Sequence, residues 1–163
     1  MCASIALEQL QLDIDDVALR LVRLATERGV TLCCAESLTA GMVSSNIASV
    51  PGASAVLLGG AVTYTNQIKE HLLSVSEKTI QEVTEVSFEV AQQMASRARS
   101  LFSSDYAVSL TGRSWRRHGY ESGGHRLYWS LLPPGRIFQA FRLFRQSSRG
   151  SFSGLLRGSA HAG

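Results

Sequence analysis

The sequence predicts an α/β fold: a layered sheet with helices on both faces and a C-terminal part that is incomplete or poorly ordered. Three observations lead there. Short apolar runs alternate with helix-period segments between residues 16 and 112, the pattern of strands joined through helical crossovers. Turns of small residues stand at the ends of those runs. Composition then changes abruptly: up to Gly112 there are seven Lys+Arg against twelve Asp+Glu, a net −5, whereas from Arg113 there are nine Arg, no Lys and one acid, Glu121, a net +8. The chain therefore divides into an N-terminal extension (1–15), a domain (16–112) and a basic Arg/Gly/Ser-rich tail (113–163).

Asp15 or Asp16 can cap a first helix running to Arg28, with Val17, Leu21, Leu24 and Ala25 at helical spacing and Gly29 as its stop. Residues 30–35 form an apolar run that reads as a strand buried on both faces. A second helix is expected over 38–48, a Pro-Gly loop over 50–54 and a strand over 55–64. Within that strand, Gly59-Gly60 marks a bulge or a close backbone approach. Short helices follow over 68–73 and 77–82. Ser87 caps a longer helix to Phe102, with Phe88, Ala91, Met94 (or Ala95) and Ala98 along one side. A last strand spans 106–110.

Composition excludes several classes. Apolar content is 45%, ordinary for a globular core. No apolar run approaches the ~18 residues of a membrane-spanning helix. Acids without a basic cluster near the N-terminus argue against a secretory signal. Cys2, Cys33 and Cys34 make an odd count with no disulfide framework, so they read as free thiols in a reducing cytoplasm. No metal-ligand spacing is present, and His71 is the only histidine before the tail, where it reads as a surface helix residue. Neither a metal nor a cofactor is expected.

Three places could carry chemistry. The first is Ala35-Glu36-Ser37-Leu38-Thr39-Ala40-Gly41, where a strand passes through a small-residue turn into a helix. The unpaired N–H groups and dipole of a helix start suit an anion or an oxyanion. Ser37 at its mouth is either a helix cap or a nucleophile. The second is Tyr64-Thr65-Asn66-Gln67-Ile68-Lys69 at the end of a strand, where α/β proteins tend to bind ligands. Lys69 is either a solvated helix-start lysine or, if buried, an amine of lowered pKa able to act as base toward Ser37. The third is Thr111-Gly112, again at a strand end.

Together these segments resemble the CinA C-terminal domain family, known from competence/damage-inducible proteins. The family pattern is Ala-Glu-Ser-x-Thr-Gly-Gly, Val-Pro-Gly-Ser/Ala-Ser, Gly-Gly-x-Val-x-Tyr-x-Asn-x-x-Lys, Val-Ser-x-Glu-Val-Ala and a strand ending in Thr-Gly. This chain has Ala35 to Gly41 with Ala40 in place of a Gly, then Val50-Pro51-Gly52-Ala53-Ser54 and Gly59-Gly60-Ala61-Val62-Thr63-Tyr64-Thr65-Asn66-Gln67-Ile68-Lys69. Val86-Ser87-Phe88-Glu89-Val90-Ala91 and Leu110-Thr111-Gly112 complete the set. The family's characterised members are nicotinamide-nucleotide amidases of the pyridine nucleotide cycle, which hydrolyse nicotinamide mononucleotide to nicotinate mononucleotide and ammonia. By resemblance Ser37, Tyr64 and Lys69 are catalytic. Glu36, Thr39, Gly41, Ser54, Asn66, Thr111 and Gly112 bind substrate, and Ala40 tightens backbone access to an anion. The implied partner is a small nucleotide, in a cytoplasmic protein that can form a homo-oligomer; no membrane or nucleic acid is expected. The alternative is a nucleotide-binding or interaction module that keeps the fold without the chemistry.

After Thr-Gly the family continues with a Gly-rich loop and a strand that this chain lacks. Codons can be chosen for residues 112–130 that, read one base later, give Ala-Gly-Pro-Gly-Gly-Gly-Thr-Asp-Thr-Asn-Pro-Val-Gly-Thr-Val-Tyr-Ile-Gly, which is the missing segment in order. Residues 143–151, shifted likewise, give Phe-Ser-Gly-Asn-Arg-Pro-Glu-Glu, close to the family's Phe-Ser-Gly-x-Arg. The tail thus reads as an out-of-frame remainder, and its arginines as a by-product of GC-rich codons. Arg interleaved with Trp115, Tyr120, Tyr128 and Trp129 also fits a nucleic-acid-binding tail, a rival that leaves the shifted-frame match as coincidence. Loss of the family segment predicts an exposed sheet edge at the strand ending in Leu110 and weak activity.

Overall fold

The computed structural model describes residues 2–113, 125–132 and 139–145. The expectation of a poorly ordered tail concerns mainly residues 114–124, 133–138 and 146–163, which lie outside the described residues. The elements in chain order are α1 (Cys2–Arg28), β1 (Leu32–Glu36), α2 (Met42–Ala48), a 3-10 turn (Ala53–Ala55), β2 (Leu57–Val62), α3 (Asn66–Leu73), α4 (Glu77–Val83), α5 (Phe88–Phe102), β3 (Tyr106–Arg113), β4 (His125–Leu132) and β5 (Gln139–Arg145). The sheet runs β2-β1-β3-β4-β5, with β1 parallel to both neighbours and β4 and β5 antiparallel.

The pleat of β1 sorts its side chains between two cores. Cys33 and Ala35 join Ala107, Leu73, Ile80, Val90, Met94 and Ala98 on the side of α3, α4 and α5. Cys34 joins Ala18, Val22, Ala25, Ile47, Val50 and Val56 on the side of α1 and α2. Alternate side chains of a strand face opposite ways, so both faces are covered by helices and β1 reads as a continuous apolar run. Cys33 and Cys34 are buried free thiols, and burial pushes the Cys34 thiol up to about 12. Gly59-Gly60 is both things expected of it. The β1–β2 register slips between Leu32 and Cys33, and a Cβ on Gly60 would collide with the Ser44 hydroxyl.

Several boundaries differ from those predicted. Asp15 and Asp16 do not cap α1 but lie in its middle, bonded to Gln11 and paired with Arg20. The apolar period simply continues N-terminally through Ile14, Leu10 and Leu7, with no Gly or Pro to stop it, so residues 2–15 are the first half of a helix. The second helix starts at Met42 rather than Leu38, because Ala40 and Gly41 adopt positive φ (50° and 99°). Capping by Ser87 is as expected, with its hydroxyl accepting from Val90 N at 3.2 Å. The predicted open edge at Leu110 is occupied: β4 pairs along β3 from Ala107 to Arg113.

Candidate active site

The C-terminal ends of β1, β2 and β3 gather the predicted residues. Beyond the last residue of β1, Ser37 N still donates to Leu110 O of β3 at 2.9 Å. Glu36 and Ser37 therefore project to opposite faces of the sheet, Glu36 toward α2 and Ser37 toward α3.

On the α2 side, Glu36 is fully buried. Its carboxylate accepts from the N–H groups of Gly41 (3.1 Å), Val43 (3.0 Å) and Ser44 (2.8 Å), and from the Ser44 hydroxyl (2.6 Å). Burial by itself pushes this carboxyl up. The Ser44 hydroxyl and N–H, the Thr39 hydroxyl and Val43 N–H outweigh it and hold Glu36 below its ordinary 4.5. The buried Thr39 Oγ1 helps to lower the Glu36 pKa without a hydrogen bond of full geometry among the described residues. The N–H groups at this helix start are thus taken up by the chain's own Glu36, which the resemblance assigns to substrate binding. Ser44, which completes the cradle, escaped sequence reading; its only signal is its place in the first turn of the helix after Glu36.

On the α3 side, Lys69 Nζ donates to Ser37 Oγ at 3.1 Å, and both residues are buried. Thr65 caps α3 through Ile68 N, and Lys69 and Leu73, one turn apart, form its buried face. The solvated-lysine reading therefore fails. Burial depresses the Lys69 pKa below 10.5, and the charge of Glu85 partly opposes that. Glu85, which precedes the α5 cap, was not singled out from sequence. Thr111 is buried with its hydroxyl donating to Glu85 O at 2.7 Å, so it anchors that loop rather than offering a free hydroxyl.

Other predicted residues fall elsewhere. Tyr64 is exposed just past the end of β2, whose last residue pairs with Glu36, whereas Lys69 is hydrogen-bonded to Ser37. Ser54 sits exposed in the turn before β2. That is the opposite end of the strand from Ser37, roughly 15–20 Å away by strand rise. Asn66 is half-buried in the first turn of α3, and Gly112 half-buried on β3 opposite Leu127. Gly41 supplies the positive φ that lets its N–H turn back to Glu36. Ala40 is exposed, with a left-handed backbone (φ 50°). Its cost is conformational, since a left-handed backbone is unfavourable for any residue with a Cβ. Ala40→Gly is expected to stabilise the fold by about 1 kcal/mol, read as a higher urea midpoint at unchanged m-value.

Among the described residues no group of acidic, His or Cys side chains could hold a metal, and no helix is long and apolar enough to cross a membrane.

Comparison with known proteins places this arrangement. The CinA C-terminal domain profile matches residues 14–122. A CinA-like protein of Solibacter usitatus is 49% identical over 110 residues, covering 68% of this chain and 24% of the relative. A CinA-like protein of Thermotoga sp. strain RQ2 is 45% identical over 91 residues, covering 56% and 22%. The chain thus spans about a quarter of the length of these curated relatives. The crystal structure of competence/damage inducible protein CihA from Agrobacterium tumefaciens superposes with a TM-score of 0.75 at 28% identity, covering 83% of this chain and 82% of that one. Matched by profile over residues 14–122, which include Ser37, Lys69 and Thr111, and similar in sequence and fold to the relatives above, the chain belongs to the CinA C-terminal domain family.

Proposed function

We propose that the domain is an amidohydrolase that converts nicotinamide mononucleotide to nicotinate mononucleotide and ammonia, with Ser37 as nucleophile and Lys69 as its base. One observation carries the reading: a buried amine of lowered pKa within 3.1 Å of a buried serine hydroxyl at the end of a central strand. A structural role explains it poorly, because burying a lysine amine costs stability and such perturbed pairs gather at functional sites.

Neutral Lys69 takes the proton from Ser37 Oγ as that oxygen bonds to the carboxamide carbon. The N–H groups of Leu38 and Thr39 have no acceptor among the described residues and lie in the turn where the developing oxyanion needs donors. Protonated Lys69 then gives its proton to the departing ammonia, and water attacks the ester to release the acid and regenerate Ser37. The residue roles rest on family resemblance together with this geometry. Glu36 supports the reaction indirectly, by fixing the turn.

The segment after Gly112 favours a second reading for this particular chain, that of a domain which keeps the fold but has lost activity, since the family's Gly-rich loop is absent from its sequence. We take residues 113–163 as an out-of-frame remainder. Sequencing the gene around codons 110 to 115 tests this: an intact frame whose codons do not recover the family segment refutes it. Ammonia release from nicotinamide mononucleotide, measured for a chain with the frame restored after Thr111 and for its Ser37→Ala variant, tests the chemistry. Equal release by the two would exclude Ser37.

The role of Lys69 also fixes a pH dependence. Activity requires the neutral amine, so kcat/KM rises with pH around a midpoint below 10.5. Glu85 raises the Lys69 pKa, so Glu85→Gln should move that midpoint to lower pH. A midpoint that stays put, or moves upward, would show that Lys69 is not the group titrating in the profile.

A further inference from the structure

α1 carries two apolar stripes, and among the described residues only one of them has a partner. Ala18, Val22 and Ala25 pack into the core beside α2. A second stripe, Leu7, Leu10, Ile14, Val17, Leu21 and Leu24, advances in strict steps of three and four, the heptad seam of a two-helix pairing. Leu7, Leu10 and Val17 are more than half exposed, and Leu21 and Leu24 more than a third. Along the C-terminal half of the seam runs a surface groove lined by Val17, Arg20, Leu21, Arg23, Leu24 and Glu27. Residues 7–13 are exposed throughout, so the first half of the helix projects from the domain. An isolated helix of that length is marginal in water without packing on its apolar side.

We propose that this seam is covered by the same seam of a second copy of the chain, running antiparallel. The charges flanking it choose both the partner and the direction. In heptad terms Leu7, Ile14 and Leu21 occupy a and Leu10, Val17 and Leu24 occupy d, which leaves Asp13 and Arg20 at g. Antiparallel helices bring g against g. Stacking Leu10 on Leu21 and Ile14 on Val17 of the second copy then sets Asp13 beside the other chain's Arg20, twice by symmetry. In a parallel pair g meets e, and Asp13 and Arg20 would face Ala18 and Ala25, which offer no charge. The antiparallel arrangement also lays the projecting half of each helix on the domain-bound half of the other, with the two domains at opposite ends of the seam. The present partners of these charges are exposed and local: Gln9 to Asp13 at 2.9 Å and Asp16 to Arg20 at 3.8 Å. Such surface contacts are weak and readily exchanged.

Sedimentation equilibrium of the whole 163-residue chain tests the proposal. The expected result is a dimer that Val17→Glu disrupts. Asp13→Arg and Arg20→Asp each place like charges across the seam, and each should weaken self-association by about tenfold or more. Mixed together, those two variants pair opposite charges at both positions and should form a heterodimer in preference to either homodimer. Both substitutions are at exposed helix positions and leave the core untouched, with folding checked by circular dichroism. A monomer at ~100 μM, well above the micromolar dissociation constants of ordinary specific pairs, overturns the proposal. So does a dimer indifferent to Val17→Glu, or a mixture with no heterodimer preference.

Discussion

Glu36→Gln is expected to cost about 3 kcal/mol of folding stability, a large effect for an isosteric change. The carboxylate accepts four hydrogen bonds from the 41–44 segment, and it supplies the negative charge that the start of α2 would otherwise draw from solvent. An amide offers one oxygen to four donors and turns an NH2 group toward the rest, leaving buried donors unpaired. The pH dependence has a definite sign. Because the folded pKa of Glu36 lies below its ordinary 4.5, its contribution is fully present above 4.5 and is lost as pH falls through the folded value. The parent should therefore lose part of its stability on acidification that Glu36→Gln has already lost at neutral pH, so the two urea-unfolding curves converge in acid. Equal stabilities at pH 7 would mean that the cradle contributes little.

The second large effect concerns Lys69. In the frame-restored chain Lys69→Met should reduce ammonia release by about a thousandfold while leaving the fold as stable or more so at neutral pH. Methionine fills a similar volume without placing an amine among Leu73 and its neighbours. Here too the sign is determined. The folded pKa of Lys69 lies below 10.5, so the unfolded chain holds the extra proton between the two values. Stability of the parent rises with pH across that window, and that of Lys69→Met does not. A residue whose removal helps folding and abolishes turnover is retained for chemistry. If Lys69→Met instead unfolded the protein, its role would be structural.

What the residues announced in advance follows from how local the signals were. β1 and β3 could be read because burial on both faces makes short apolar runs. α5 could be read because Ser87 caps a helix with one apolar side. The first half of α1 could not, because Asp15-Asp16 has the form of a cap and competes with a weaker but continuous apolar period. The start of α2 was misplaced because the decisive fact, positive φ at Ala40 and Gly41, is a backbone property shared by several residue types. At the site, motif order pointed to Ser37 and Lys69, but local sequence says nothing of burial, and a lysine at a helix start ordinarily reads as solvated. Tyr64 shared the motif and went to the surface. The family motif assigns Glu36 to substrate binding. Only the pleat, which turns it away from Ser37 onto α2, identifies it as support. The strands β4 and β5 lie in the segment whose composition suggests an incomplete or poorly ordered part; β4 pairs with β3, and β5 with β4.

The pairing of Ser37 with Lys69 underlies the functional account, and one assay bears on it most directly. Ammonia released from nicotinamide mononucleotide should be measured for the frame-restored chain and for Ser37→Ala, with the two folds matched by circular dichroism. The parent should turn over, and the variant should retain about a thousandth of that rate or less. A Ser37→Ala protein that releases ammonia as fast as its parent would contradict the account, whatever the distance between the two side chains.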